Sequence, residues 1–205
     1  MKKLFLSLVI VGFMASSARA MTVEYATKDD HKAVIAIDFS WDNASVILDL
    51  FDGFVPGKRA LVARGLDSVV IGYLYFSPRD CLRGSLKTYD AYAGSKHYCL
   101  LERLRYSEKS FEVARKLLKK LCELRHDCKQ IMVEVEDKEL VVGFYKKLGF
   151  EEVAHITYPD GRGDICVLRL QATVALAAES ADCEQKAPAA VVAPKQGGGW
   201  SCIVM

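Results

Sequence analysis

The chain has no Cys-x-x-Cys pair, and its four histidines are scattered. Zinc-finger and zinc-ribbon spacings are therefore absent, and no metal is expected. Formal net charge is only +2. That excludes the strong field on which binding to nucleic acid or an anionic membrane relies. No basic stripe interleaved with aromatics compensates for it. No apolar run reaches the ~20 residues of a membrane-spanning helix. Seven cysteines stand at 81, 99, 122, 128, 166, 183 and 202. Their odd number and irregular spacing argue against a disulfide framework and for reduced, partly buried thiols.

What is present suits one globular domain with extensions: 205 residues, of which 51% are hydrophobic and 26% charged. Both ends read as addresses. Met1-Lys2-Lys3 is basic, Leu4 to Met14 is apolar, and Ala18-Arg19-Ala20 is an Ala-x-Ala site. Residues 1–20 thus have the three regions of a secretory signal peptide. The competing reading is a start at Met21, which would leave the protein cytoplasmic. From residue 171 the chain is rich in Ala, Val, Pro, Gly and Gln without helical or strand period, which predicts a flexible tail over 171–205. It ends in Cys202-Ile203-Val204-Met205, a match to the Cys-aliphatic-aliphatic-X prenylation signal behind a Gly197-Gly198-Gly199 spacer. Chance is the competing reading of so short a pattern. One lipid without a polybasic run gives weak, reversible membrane binding. A hypothesis that keeps both addresses is a bacterial protein exported into a host cell and lipidated there. Prenyl label on the wild type but not on Cys202→Ser would support it, and absence from both would remove it.

Between the ends, strands and helices alternate. A short strand begins at Val23-Glu24-Tyr25, and a helix opens at Asp29-Asp30. A second helix covers about Asn43 to Phe51. Strands follow at Arg59 to Arg64 and Val69 to Phe76. The polar stretch 77–98 is long for a connection, and reads either as a shaper of an acceptor site or as a solvated insertion. Tyr98 to Tyr106 is the expected central strand. Phe111 to Leu124 is an amphipathic helix with its stripe on Phe111, Ala114, Leu117, Leu118, Leu121 and Cys122. A strand around Ile131 to Val135, a helix over about 139–148 and two strands near 151–158 and 164–170 complete the pattern. The last two are joined by Pro159-Asp160-Gly161-Arg162-Gly163, a hairpin loop.

The most informative stretch is Phe144-Tyr145-Lys146-Lys147-Leu148-Gly149-Phe150. Gly149 stands where a helix end needs a residue tolerant of positive φ. With the element order β-α-α-β-β-β-α-β-α-β-β, this stretch resembles the end of the GNAT superfamily, the acyl-CoA-dependent N-acyltransferases. The resemblance covers about 22–170 and is most specific at 98–150. It implies an α/β (α+β) fold, a twisted mixed, mostly antiparallel sheet flanked by helices. It also implies an N-acetyltransferase that uses acetyl-CoA and a primary amine acceptor, small molecule or protein. No nucleic-acid partner is implied, and the acceptor and oligomeric state stay open.

The resemblance further implies roles for particular residues. The backbone of the central strand, at Leu104 and Tyr106, would pair with the pantetheine arm. The helix start Lys109-Ser110-Phe111-Glu112-Val113-Ala114-Arg115 would hold the pyrophosphate, using the free N–H groups of a helix N-terminus. Glu112 replaces the middle glycine of the family pattern, and the preceding loop is short. The competing reading is an ordinary helix start. Lys138 stands about where the family often keeps an asparagine. Tyr145 would be the general acid for the leaving thiolate, or else a packing tyrosine. Glu102 would be the general base, directly or through water, with Glu134 a weaker alternative. Otherwise Glu102 and Arg103 are solvent-facing strand residues that pair with neighbours. No cysteine nucleophile is required, and Cys99 reads as core. The alternative function is a catalytically degenerate GNAT-like binding module.

Overall fold

The computed structural model describes residues 21–38, 51–82, 89–107, 111–157 and 163–177. The leader, Lys109, Ser110, Cys202, most of the expected second helix and all of the 159–163 hairpin loop but Gly163 lie outside the described residues.

The elements are β1 (Thr22–Tyr25), α1 (His31–Ile37, after a tight turn at Lys28–Asp30), β2 (Ala60–Arg64), β3 (Val70–Pro78), α2 (Asp90–Ala93), β4 (Tyr98–Tyr106), α3 (Phe111–Leu124), β5 (Gln130–Glu136), α4 (Glu139–Lys147), β6 (Glu151–Thr157), β7 (Asp164–Gln171) and α5 (Ala172–Ala177). The seven strands form one sheet in the order β1-β2-β3-β4-β5-β7-β6. Every neighbouring pair is antiparallel except β4 and β5. This is the mixed, mostly antiparallel sheet that the element order predicts.

One face of the sheet is covered by α3, α4 and α5. Leu101, Leu104, Val133, Val135, Leu168 and Leu170 meet Leu117, Leu121 and Tyr145 there. The apolar stripe of α3 drives this packing. Val113 is fully buried in it, whereas Phe111 is only partly covered. The other face carries two smaller clusters. Val34, Phe51, Tyr73 and Tyr75 meet under α1, and Leu82, Tyr89, Ala93, Tyr98, Leu100 and Met132 meet beside α2.

Helix α4 stops as its sequence requires. Gly149 has φ +92°, its N–H bonds Lys146 O at 3.0 Å, and the N–H of Phe150 bonds Tyr145 O at 3.1 Å. This paired return is the Schellman closure, and it delivers Phe150 to the core.

Two expectations change. The described residues of the stretch 77–98 are partly packed into the fold rather than wholly solvated. β3 runs on to Pro78, and the connection buries Leu82, Tyr89 and Ala93. Arg79 clamps Asp90 through two bonds, Nε to Oδ1 at 2.8 Å and Nη2 to Oδ2 at 2.5 Å, and the Tyr98 hydroxyl adds a third at 3.0 Å. Residues 172–177 are helical rather than part of an aperiodic tail. Ala175 is buried in the main core and Val174 lies against Gly149. Six residues are too short to show a period, and tertiary packing decides their state.

Candidate functional site

The site begins with a parting of strands. β4 and β5 pair in parallel only where Tyr98, Cys99 and Leu100 oppose Gln130, Ile131 and Met132. Beyond Leu100 the two strands diverge. The cause lies on the other edge of β4. Against β3, Tyr75 opposes Arg103 and Phe76 opposes Leu101, which leaves Glu102 as an extra residue. Such a bulge bends its strand and raises the local twist. Along the β5-facing edge, backbone groups of β4 past Leu100 have no strand partner among the described residues. An extended chain is the natural complement to such an edge.

The bulge also re-aims side chains. Cys99 and Leu101 before it, and Leu104 after it, face the α3 and α4 side. Leu100 faces the opposite side. Glu102, Arg103 and Arg105 share that opposite side. Burial pushes the Glu102 carboxyl above the ordinary carboxylate range, and the nearby Glu134 adds to this. A hydrogen bond with Ser77 and the charge of Arg59 act the other way. Glu134, on β5, accepts a hydrogen bond from the buried Tyr89 hydroxyl. Glu102 and Glu134 thus look into one region, roofed by the connection that carries Tyr89.

Arg103 is not solvent-facing. It is 6% exposed, and its Nη1 lies 2.6 Å from Oδ2 of Asp38, which has no exposed surface. Arg105 Nε donates to Asp38 Oδ1 at 3.3 Å, and the Tyr73 hydroxyl donates to Asp38 Oδ2. Burial and the Asp38 charge push the Tyr73 phenol far up, so it stays a donor. Asp38, Tyr73 and Tyr75 escaped the reading of the sequence. Two tyrosines opposing two arginines in register, Tyr73 with Arg105 and Tyr75 with Arg103, carry a recognisable alternation. Their partner Asp38 is too distant along the chain to be seen.

On the helical side, Leu104 is buried and Tyr106 ends β4 half-buried. Phe144 of α4 stacks on Phe111 at 5.2 Å and on Tyr106 at 6.1 Å. The side chains of Val113 and Ala114 are fully buried. The first turn of α3 rests on Gly72, where a Cβ would come within 2.7 Å of Val113. Ser107 N bonds Ile71 O at 2.8 Å and fixes the loop's start. Glu112 is held 3.0 Å from Lys116, one turn along the helix, and Arg115 is exposed. Lys138 stands at the N-cap position of α4 without a side-chain cap, and its ammonium pairs with Glu136 at 2.5 Å. Tyr145 has no exposed surface, with the rings of Phe144 and Phe150 edge-on to it at 5.1 and 5.3 Å. Cys99 is core as expected. Its hydrogen bond with Cys128, together with burial, pushes the thiol well up, away from a nucleophile's range.

The two groups of residues lie on opposite faces of the sheet, on either side of the place where β4 and β5 cease to pair. Such an arrangement can admit two molecules from two sides and bring them together in the gap.

By sequence, the chain matches no protein-family model and no curated protein. By structure it matches many solved proteins. A GNAT-family acetyltransferase from Bacillus cereus superposes with a TM-score of 0.56 at 16% identity, over 74% of this chain and 97% of that one. A GNAT-family protein from Desulfovibrio desulfuricans, described as a putative acetyltransferase, gives 0.57 at 15% identity, over 75% and 99%. The NatC complex bound to Gag peptide and CoA gives 0.50 at 16% identity, over 74% and 98%. The chain therefore has the GNAT fold.

Proposed function

We propose that this GNAT fold works as an N-acyltransferase that moves an acetyl group from acetyl-CoA to a primary amine. The observation that carries this reading is the gap between β4 and β5, with its Glu102 bulge. The open edge of β4 fits an extended amide-bearing arm, and the fold's solved neighbours include one with CoA bound. Acetyl-CoA supplies an activated acyl carbon when bound. Leu104 and Tyr106 would offer their backbone to the arm, and the start of α3 would face its phosphates.

The chain's own residues divide the remaining work. Glu102 and Glu134 favour a cationic acceptor on their side of the sheet. Glu102, its pKa raised by burial, takes a proton from the bound ammonium. Tyr145, on the other side, holds a phenolic proton suited to the departing thiolate. The new C–N bond forms as the C–S bond breaks, so no cysteine intermediate is needed. Glu112 does not bring a bare charge to the helix start, because Lys116 pairs with it at 3.0 Å.

A second reading, a GNAT-like binding module without turnover, is favoured by one observation: Tyr145 is fully enclosed. The two separate in an assay of labelled acetyl-CoA against a panel of polyamines and lysine-bearing peptides. Acetylated product that disappears with Glu102→Gln supports transfer. Acetyl-CoA binding without any product supports the module.

A further inference from the structure

Away from the gap, β7 places Cys166 between two partners, Val135 of β5 on one side and His155 of β6 on the other. Cross-strand partners share a face of the sheet. Asp137 lies two residues past Val135 and returns to the same face. Its N–H bonds Asp164 O at 2.9 Å, which fixes it beside the start of β7. Three donor groups of different chemistry therefore converge. His155 Nε2 lies 2.9 Å from Asp137 Oδ2. Cys166 Sγ donates to Asp137 Oδ1 at 3.4 Å. All three donor atoms lie within 4.8 Å of one another.

We propose that Asp137, His155 and Cys166 form a binding site for a borderline divalent metal ion, zinc in the first instance, separate from the acyl-transfer gap. The spacing supports this. Zinc bonds of roughly 2.0 to 2.3 Å in tetrahedral geometry set ligand-to-ligand distances of roughly 3.3 to 3.7 Å. The three donors need only small rotations to reach such distances. One sulfur, one imidazole nitrogen and one carboxylate oxygen suit zinc, whereas magnesium and calcium prefer all-oxygen shells.

Access and support are also present. The Asp137 and His155 side chains are 42% and 45% exposed, while Cys166 forms the buried floor at 2%. Three protein ligands leave a fourth position for water or another ligand. Lys146 is the adjacent cation, and Glu152 engages its ammonium at 3.0 Å. Binding expels the thiol proton to solvent as the metal–sulfur bond forms. The site departs from the metal-free expectation because its ligands stand 18 and 11 residues apart (137 to 155, 155 to 166). Only the sheet register joins them.

The test uses cobalt(II) as a spectroscopic stand-in, titrated into the full reduced chain. One equivalent is expected to give a near-ultraviolet thiolate-to-cobalt band and strong visible bands of a four-coordinate centre, both displaced by zinc. Cys166→Ser is expected to abolish the near-ultraviolet band. Asp137→Asn and His155→Gln change exposed groups and spare the core. Each is expected to weaken binding by more than about tenfold, since even outer-shell losses cost about that much. No band at stoichiometric cobalt, a band that survives Cys166→Ser, or unchanged affinity in both other variants would overturn the assignment.

Discussion

Glu102 of β4 and Glu134 of β5 face the same side of the sheet across the gap where their strands part, and the Glu134 charge adds to the cost that burial sets on ionising Glu102. Glu102 falls on that side by simple alternation from Leu100, and the bulge brings Arg103 to the same side. Glu134 is steadied there by the hydroxyl of Tyr89.

Removing the Glu102 charge is expected to separate catalysis from stability. Glu102→Gln should lower kcat by about 10²- to 10⁴-fold, the usual worth of a positioned base. It should also remove the acid limb of the pH–rate profile. The stability change has the opposite sign. The folded pKa is raised, so the native state holds this proton more tightly than the unfolded chain. Stability from Glu102 is full below the ordinary glutamate pKa and is lost as pH rises through the raised value. At neutral pH the glutamine variant should therefore melt higher than wild type, with the difference vanishing in acid. Melting curves across pH check this.

Tyr145→Phe keeps the ring between Phe144 and Phe150 and deletes only the hydroxyl. Melting temperature should change little, while kcat falls by about 10²-fold or more with acetyl-CoA affinity retained. Equal loss of affinity and kcat would assign Tyr145 to packing.

Asp38→Ala leaves Arg103 and Arg105 buried against each other without their shared carboxylate. Breaking a buried pair in this way costs about 3–5 kcal/mol. Denaturant unfolding should show a lower midpoint with an unchanged slope.

Gly72→Ala puts a methyl group 2.7 Å from Val113 and 3.0 Å from the Arg105 carbonyl. The first turn of α3 must then move off β3, at about 1–3 kcal/mol. Acetyl-CoA affinity should fall more than affinity for the amine, because that turn is the proposed phosphate site.

Much of the fold was legible where periodicity is long. β4 and α3 occupy the ranges their patterns predict, Tyr98–Tyr106 and Phe111–Leu124. The helix stop at Gly149 was legible because few residues satisfy φ +92°. The bulge was not. One extra residue leaves no compositional trace, yet it decides that Glu102 and Arg103 point to the same side. Arg103 looked like a surface residue because its partner Asp38 lies 65 residues away. The sequence left the 77–98 connection open between a shaper of the acceptor site and a solvated insertion, because the mutual pairing of its polar residues Arg79 and Asp90 leaves no trace in composition.

The most direct measurement is calorimetric titration of acetyl-CoA into the full chain, with Glu112→Gly alongside. One-to-one binding of micromolar affinity by the wild type, altered only modestly by Glu112→Gly, is the predicted result. No heat from the wild type at millimolar acetyl-CoA would contradict the account and leave the gap between β4 and β5 without its donor.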